Sequence, residues 1–177
     1  MTSFLSRIAG AAMLRPATYE EVEADRTATL QAMGVVLLSS LAAGIGALGP
    51  TGSRPAALAG ISLLAFGVWA VWAALTLEIG IWILPSPQTH ADLGELLRTI
   101  GFATAPGIFR ILAIIPGIRT AVFGITAVWM LMAMIVAVRQ ALDYTSTPRA
   151  AAVCGLGWLL AFGLAAVIGI LYGPALY

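Results

Sequence analysis

Glu78 and Arg110 stand out chemically, because each interrupts an apolar run long enough to cross a bilayer. Ionisable groups at that depth are costly and turn toward protein or water rather than lipid. A carboxylate and a guanidinium so placed offer two chemistries: an ion pair that locks helices together, or a polar step on an ion or proton path. The path ordinarily needs several acidic groups and broken helices, and Glu78 has no second acid in its apolar run. Packing is therefore the first reading of the candidate pair Glu78 and Arg110. On an α-helix Arg110 shares a face with Ala103, Gly107, Ala113 and Gly117, and Glu78 with Ala70 and Ala74, so both point toward closely packed neighbours. At ~1.5 Å per residue, Glu78 lies ~9 Å and Arg110 ~16 Å from the same surface. A snorkelling arginine bridges that difference. Arg98, at that surface, is the rival partner for Glu78.

Other reactive side chains do not gather. There is no GxSxG or P-loop, and carboxylates are too sparse for a metal cage. His90 reads as a solvated loop residue, and Cys154, the only cysteine, as a small core residue. No catalytic residue, cofactor or metal is expected, and the chain does not read as an enzyme.

The elements that must position the two charges follow from composition. Hydrophobic residues make up 60% of the chain and charged residues 10%, with a mean hydropathy of +0.98. Soluble domains carry about 25% charged residues, so the reading is an all-α, polytopic membrane helix bundle surrounded by lipid. A net charge of +1 argues against a nucleic-acid binder. Five transmembrane helices are expected, at about 30–48, 56–84, 100–118, 120–138 and 150–172. Residues 1–29 form an N-terminal cytosolic or interfacial segment, and 30–177 the membrane domain.

Within the first segment, Phe4, Leu5, Ile8, Met13 and Leu14 mark an amphipathic piece, an interfacial helix or a disordered tail. Thr18 with Glu21 fits a capping box, so a helix is expected from near Tyr19, running on toward the first span. Residues 85–98 form the longest polar connection, where Leu93, Leu96 and Leu97 fit a surface helix. Pro116-Gly117 makes the third and fourth spans antiparallel neighbours. Arg139 and Asp143 are spaced as a helix-surface pair.

With the N-terminus in the cytoplasm, the inside receives Arg7, Arg15, Arg26, Arg98, Arg139 and Arg149, and the outside only Arg54 and Arg119. That bias gives N-in, C-out topology in a prokaryotic inner membrane. In the last span Gly157, Ala161, Ala165, Gly169 and Gly173 recur every four residues, a helix-association face toward the bundle, a protein partner or a second copy.

The stretch Gly101-Phe102-Ala103, followed by Pro106, resembles the Gly-aromatic-small-x-x-Pro element of the Yip (Ypt-interacting protein) domain family. Ile115-Pro116-Gly117, Trp129, Arg139-Gln140-Ala141-Leu142 and Arg149-Ala150 follow in similar order, and Leu14-Arg15-Pro16 with Tyr19-Glu20-Glu21-Val22 resembles the opening of small prokaryotic members. The resemblance implies a five-span, N-in membrane protein that acts by association, as a scaffold or accessory subunit in membrane organisation or trafficking. It does not extend to Rab binding, because the long cytosolic N-terminus and the Asp-Leu-Tyr-Gly-Pro motif of eukaryotic members are missing. The alternative is a small transporter or channel with its polar site at Glu78 and Arg110.

Overall fold

The computed structural model of the chain describes residues 3–52, 54–87 and 91–172, with side chains in the last helix described through Leu160 and at Gly163. All regular structure among the described residues is helical.

The N-terminal segment is folded, and it is not a tail. Helix α1 (Phe4–Ala12) starts at Ser3, whose hydroxyl accepts from the Ser6 N–H. Leu14, at φ 59°, turns the chain into α2 (Pro16–Ala24), which has Pro16 at its first position and no side-chain cap. The expected Thr18–Glu21 box therefore opens nothing: proline's fixed φ starts the helix three residues earlier. Nor does α2 run into the first span. The Asp25 carboxylate accepts from both the N–H and the hydroxyl of Thr27, a local turn that ends one helix before the next begins.

Buried Arg7 ties these pieces together. It contacts Glu21 and Asp25 at 2.8 Å each and donates to Gln31 at 3.0 Å. Tyr19 donates its hydroxyl to the Ala11 carbonyl at 3.0 Å.

Helix α3 (Ala28–Gly52) breaks at Gly49, where φ is 70°. Helix α4 (Pro55–Glu78) widens into a π-helical turn, Ile79–Ile83, in which Leu84 N–H reaches back to Ile79. Tyr144 donates its hydroxyl to Leu84 at 2.7 Å and to Gly80 at 3.4 Å, serving carbonyls that a helix end leaves open. Helix α5 (Leu93–Ala103) does have a capping box, formed by Asp92 and Glu95. A 3₁₀ helix, Ala105–Ile114, completes that element. Pro106 has no N–H to give an α-helical bond, and Gly107 N–H bonds Thr104 three residues back.

Gly117, at φ 87°, turns the chain into α6 (Arg119–Ala141), as the Pro116-Gly117 pair predicts. Asp143, at φ 52°, lies beyond the end of α6, so Arg139 and Asp143 are no helical pair. Arg139 instead donates to Tyr144 and Thr147. Helix α7 spans Thr147–Tyr172.

Four helical stretches among the described residues are long and apolar enough to cross a membrane: Ala28–Gly49, Pro55–Ile83, Leu93–Ile114 and Arg119–Ala141. They match four of the expected spans, the third starting seven residues early because Asp92 caps it. The fifth expected span falls on α7. Leu63 (73% exposed), Leu64 (69%) and Ile125 (65%) stand outward, compatible with a multi-pass membrane protein.

The α1–α2 hairpin caps one end of this bundle. Tyr19, Val22, Ala28, Ala32, Phe102 and Ala137 share one core beneath it, while Leu96, Ile100, Val138, Leu142 and Val153 anchor the second. Burial pushes the Glu23 carboxyl up to about 7, helped by Asp143, Glu95 and Glu20 and opposed by Arg98. The folded cap thus holds a proton that the unfolded chain releases near pH 4.5. Its stability should fall as pH rises from there to about 7 and then level off. Thermal unfolding followed across that range should show this slope, and Glu23→Gln should abolish it.

Candidate functional site

Arg110 sits on the 3₁₀ helix, partly buried, with its guanidinium 5.4 Å from the centre of the Phe123 ring. Nε donates to the Thr126 hydroxyl at 3.2 Å, and that hydroxyl in turn donates to the Val122 carbonyl. No carboxylate lies within ion-pair reach of Arg110 among the described residues. The expected pair with Glu78 is not formed. Glu78 is exposed and has no hydrogen bond or ion pair among the described residues.

Depth explains the separation. Gly80, two residues past Glu78, receives the Tyr144 hydroxyl and backs onto the Leu142 side chain, so Glu78 stands near the capped end. Thr126 lies fifteen residues before the end of α6 at Ala141, a distance of ~22 Å. The 3₁₀ helix also rises ~2.0 Å per residue rather than ~1.5 Å, carrying Arg110 farther from the start of that element at Leu93 than α-helical counting allows. Arg98 does not serve Glu78 either. It is buried and donates to the backbone carbonyls of Val22 and Glu23.

The small neighbours of Arg110 act as expected at two positions. Gly107 and Ala113 are buried against α3: a Cβ on Gly107 would meet the Ser39 hydroxyl, and one on Gly46 would lie 2.2 Å from the Arg110 carbonyl oxygen. Ala103 belongs instead to the core under the cap, and Gly117 to the turn.

Between α3, α4, α6 and α7 lies a cavity of about 510 Å³ that Arg110 reaches. Its wall is mostly apolar and aromatic: Trp69, Trp72 and Trp158, with Met130 and Met134. Trp69 is oriented by donation to the Leu97 carbonyl at 3.1 Å, and the Trp72 and Trp158 rings lie 5.5 Å apart. Ser39, Ser40 and Thr104 supply hydroxyls to the same wall. The Trp72 indole N–H is buried and has no partner among the described residues.

The residues of the Gly-aromatic-small element have structural work. Gly101 lets α5 touch α3, since a Cβ there would lie 2.7 Å from Ala32 Cβ. Phe102 and Ala103 fill the core under the cap, and Pro106 opens the 3₁₀ helix. Trp129 donates its indole N–H to the Ala12 carbonyl at 2.7 Å and stacks on Phe109. On α7, Gly157 admits the Trp72 ring, 3.0 Å from where a Cβ would sit. Ala161, Ala165 and Gly169 continue that helix with no described side-chain surroundings, and Gly173 and His90 lie outside the described residues.

No protein-family model, curated protein or solved structure matches the chain.

Proposed function

We propose that this is a five-span integral membrane protein of the Yip type that works by association, as a scaffold or accessory subunit, rather than by catalysis. In this reading the α1–α2 cap faces the cytoplasm of a prokaryotic cell, and lipid surrounds the spans. The observation that carries it is the outward face of α4. The apolar stretch of that span is 11% buried, against 56% for Leu93–Ile114. Gly60, Leu64, Gly67, Val71 and Glu78 recur on one helical face, all exposed. A Cβ at Gly60 or Gly67 would meet nothing within 4 Å. Small residues spaced this way let another helix approach closely.

Cysteine cross-linking in native membranes tests the reading. Leu64→Cys and Val71→Cys should each yield a covalent product with a second chain, identified by mass spectrometry, while Ala73→Cys on the buried face should not. Adding Gly67→Ile should cut the yield several-fold. Absence of product at every outward position would overturn the proposal.

The cavity beneath Arg110 favours a second reading, a small transporter or channel, with Glu78 outside the polar site. Proteoliposome anion flux that disappears in Arg110→Gln would raise it above the first.

A further inference from the structure

We propose that the tryptophan-lined cavity binds an anionic amphiphile, its tail against Trp69, Trp72 and Trp158 and its carboxylate or phosphate on Arg110. The charge leads to the headgroup. A guanidinium stays ionised at any relevant pH and carries five N–H donors. Among the described residues only Nε has a hydrogen-bond partner, Thr126. The two terminal nitrogens, which form the fork that fits a carboxylate or phosphate, have no protein acceptor there.

Leaving a partly buried charge without a counter-ion costs far more than leaving a neutral donor so. Thr126 and the Phe123 ring hold the side chain in place without neutralising it. They fix a cation and leave its charge for something else to match.

The cavity leads to the tail. Its volume of about 510 Å³ falls within the ~300–1,000 Å³ usual for small-molecule sites. Three indoles and two thioethers give it the polarity of an acyl chain. The Ser39 hydroxyl and the Trp72 N–H, which has no partner among the described residues, are donors open to an ester or acid oxygen, whereas Ser40 and Thr104 already donate to the Leu37 and Gly101 carbonyls. A purely apolar guest would leave the guanidinium unmatched, and a small inorganic anion would leave the aromatic wall uncovered. Only a molecule with both ends satisfies both halves.

A free fatty acid and an anionic bilayer lipid share this chemistry, and the test separates them. The full-length chain, purified in a mild non-ionic detergent, is titrated with palmitate, phosphatidylglycerol and phosphatidylcholine while tryptophan fluorescence is followed and stoichiometry is read by native mass spectrometry. One equivalent of palmitate or of phosphatidylglycerol should bind at least tenfold tighter than phosphatidylcholine. Preference for palmitate assigns a free acid, preference for phosphatidylglycerol a bilayer lipid, and either supports the site.

Arg110→Gln should lose that preference. Ala43→Phe, which fills the cavity, should weaken both anionic ligands about tenfold while leaving the α4 cross-links intact. Should Arg110→Gln aggregate, Arg110→Lys, which keeps the charge without the fork, replaces it and should show an intermediate loss. Equal binding of phosphatidylcholine, or unchanged affinity in the monodisperse Arg110 and Ala43 variants, overturns the proposal.

Discussion

Gly46→Val is expected to be the most damaging single substitution in the bundle. A Cβ at Gly46 would sit 2.2 Å from the Arg110 carbonyl oxygen and 3.1 Å from Ala113 Cβ. The first of these is backbone, so no rotamer change relieves it. The 3₁₀ helix or α3 would have to move apart, taking Gly107 away from Ser39 and opening the interface along its length. Overpacking costs about 1–3 kcal/mol where side chains can yield, and this site should lie at or above that upper bound. Thermal unfolding in detergent should show a large fall in midpoint or no monodisperse protein. Gly124→Val, at a position outside the α4 face where added atoms meet nothing, is the control and should leave the midpoint unchanged. Equal behaviour of the two variants would mean that α3 and the 3₁₀ helix do not touch there.

Arg98→Met should release the α1–α2 hairpin. Arg98 donates through Nε and Nη2 to the Val22 and Glu23 carbonyls, which lie in the last turn of α2. Those carbonyls have few intrahelical partners, and a cation there also answers the negative end of the helix. Methionine keeps the apolar stem and removes the donors. Hydrogen bonds from a charged donor contribute about 1.5–3 kcal/mol, so a loss of about 3 kcal/mol is expected, concentrated in the cap. Limited trypsin digestion reads it directly, since Arg26 is exposed and is followed by Thr27: cleavage there should accelerate while the long apolar helices stay intact. Release of the hairpin also takes Glu23 out of the burial that is the main cause of its raised pKa, so its titration should fall back from about 7 toward 4.5 in the variant.

The spans were legible because long runs of Leu, Ile, Val and Ala leave few alternatives, and Pro116-Gly117 announced its turn. Gly101, Phe102, Ala103 and Pro106 were legible as a unit, although not for what each does. The 3₁₀ segment left one trace, the small or polar Gly107, Arg110 and Ala113 at every third position among Ile108, Phe109, Ile111 and Leu112, but over so short a run residues three apart also share one α-helical face. Hence the α-helical face drawn around Arg110 mixed core residues with turn residues, and the depth of Arg110 was underestimated. The cap was hidden for another reason. Its main contacts end on backbone carbonyls of Ala11, Ala12, Val22 and Glu23, and every residue type carries one. Arg7 and Arg98 could have been flagged only as arginines beside acidic or apolar stretches. The cavity has one faint sequence trace, the Trp69 and Trp72 spacing on α4.

The hairpin that closes the bundle precedes in the chain the side chains that complete it. Ala12 waits for Trp129, Val22 and Glu23 wait for Arg98, and Glu20 waits for Gln140. During synthesis the α1–α2 residues lack the last of these partners until α6 has been made. Nascent chains truncated before Trp129 should therefore keep a protease-sensitive beginning, and those extended past Gln140 should lose it.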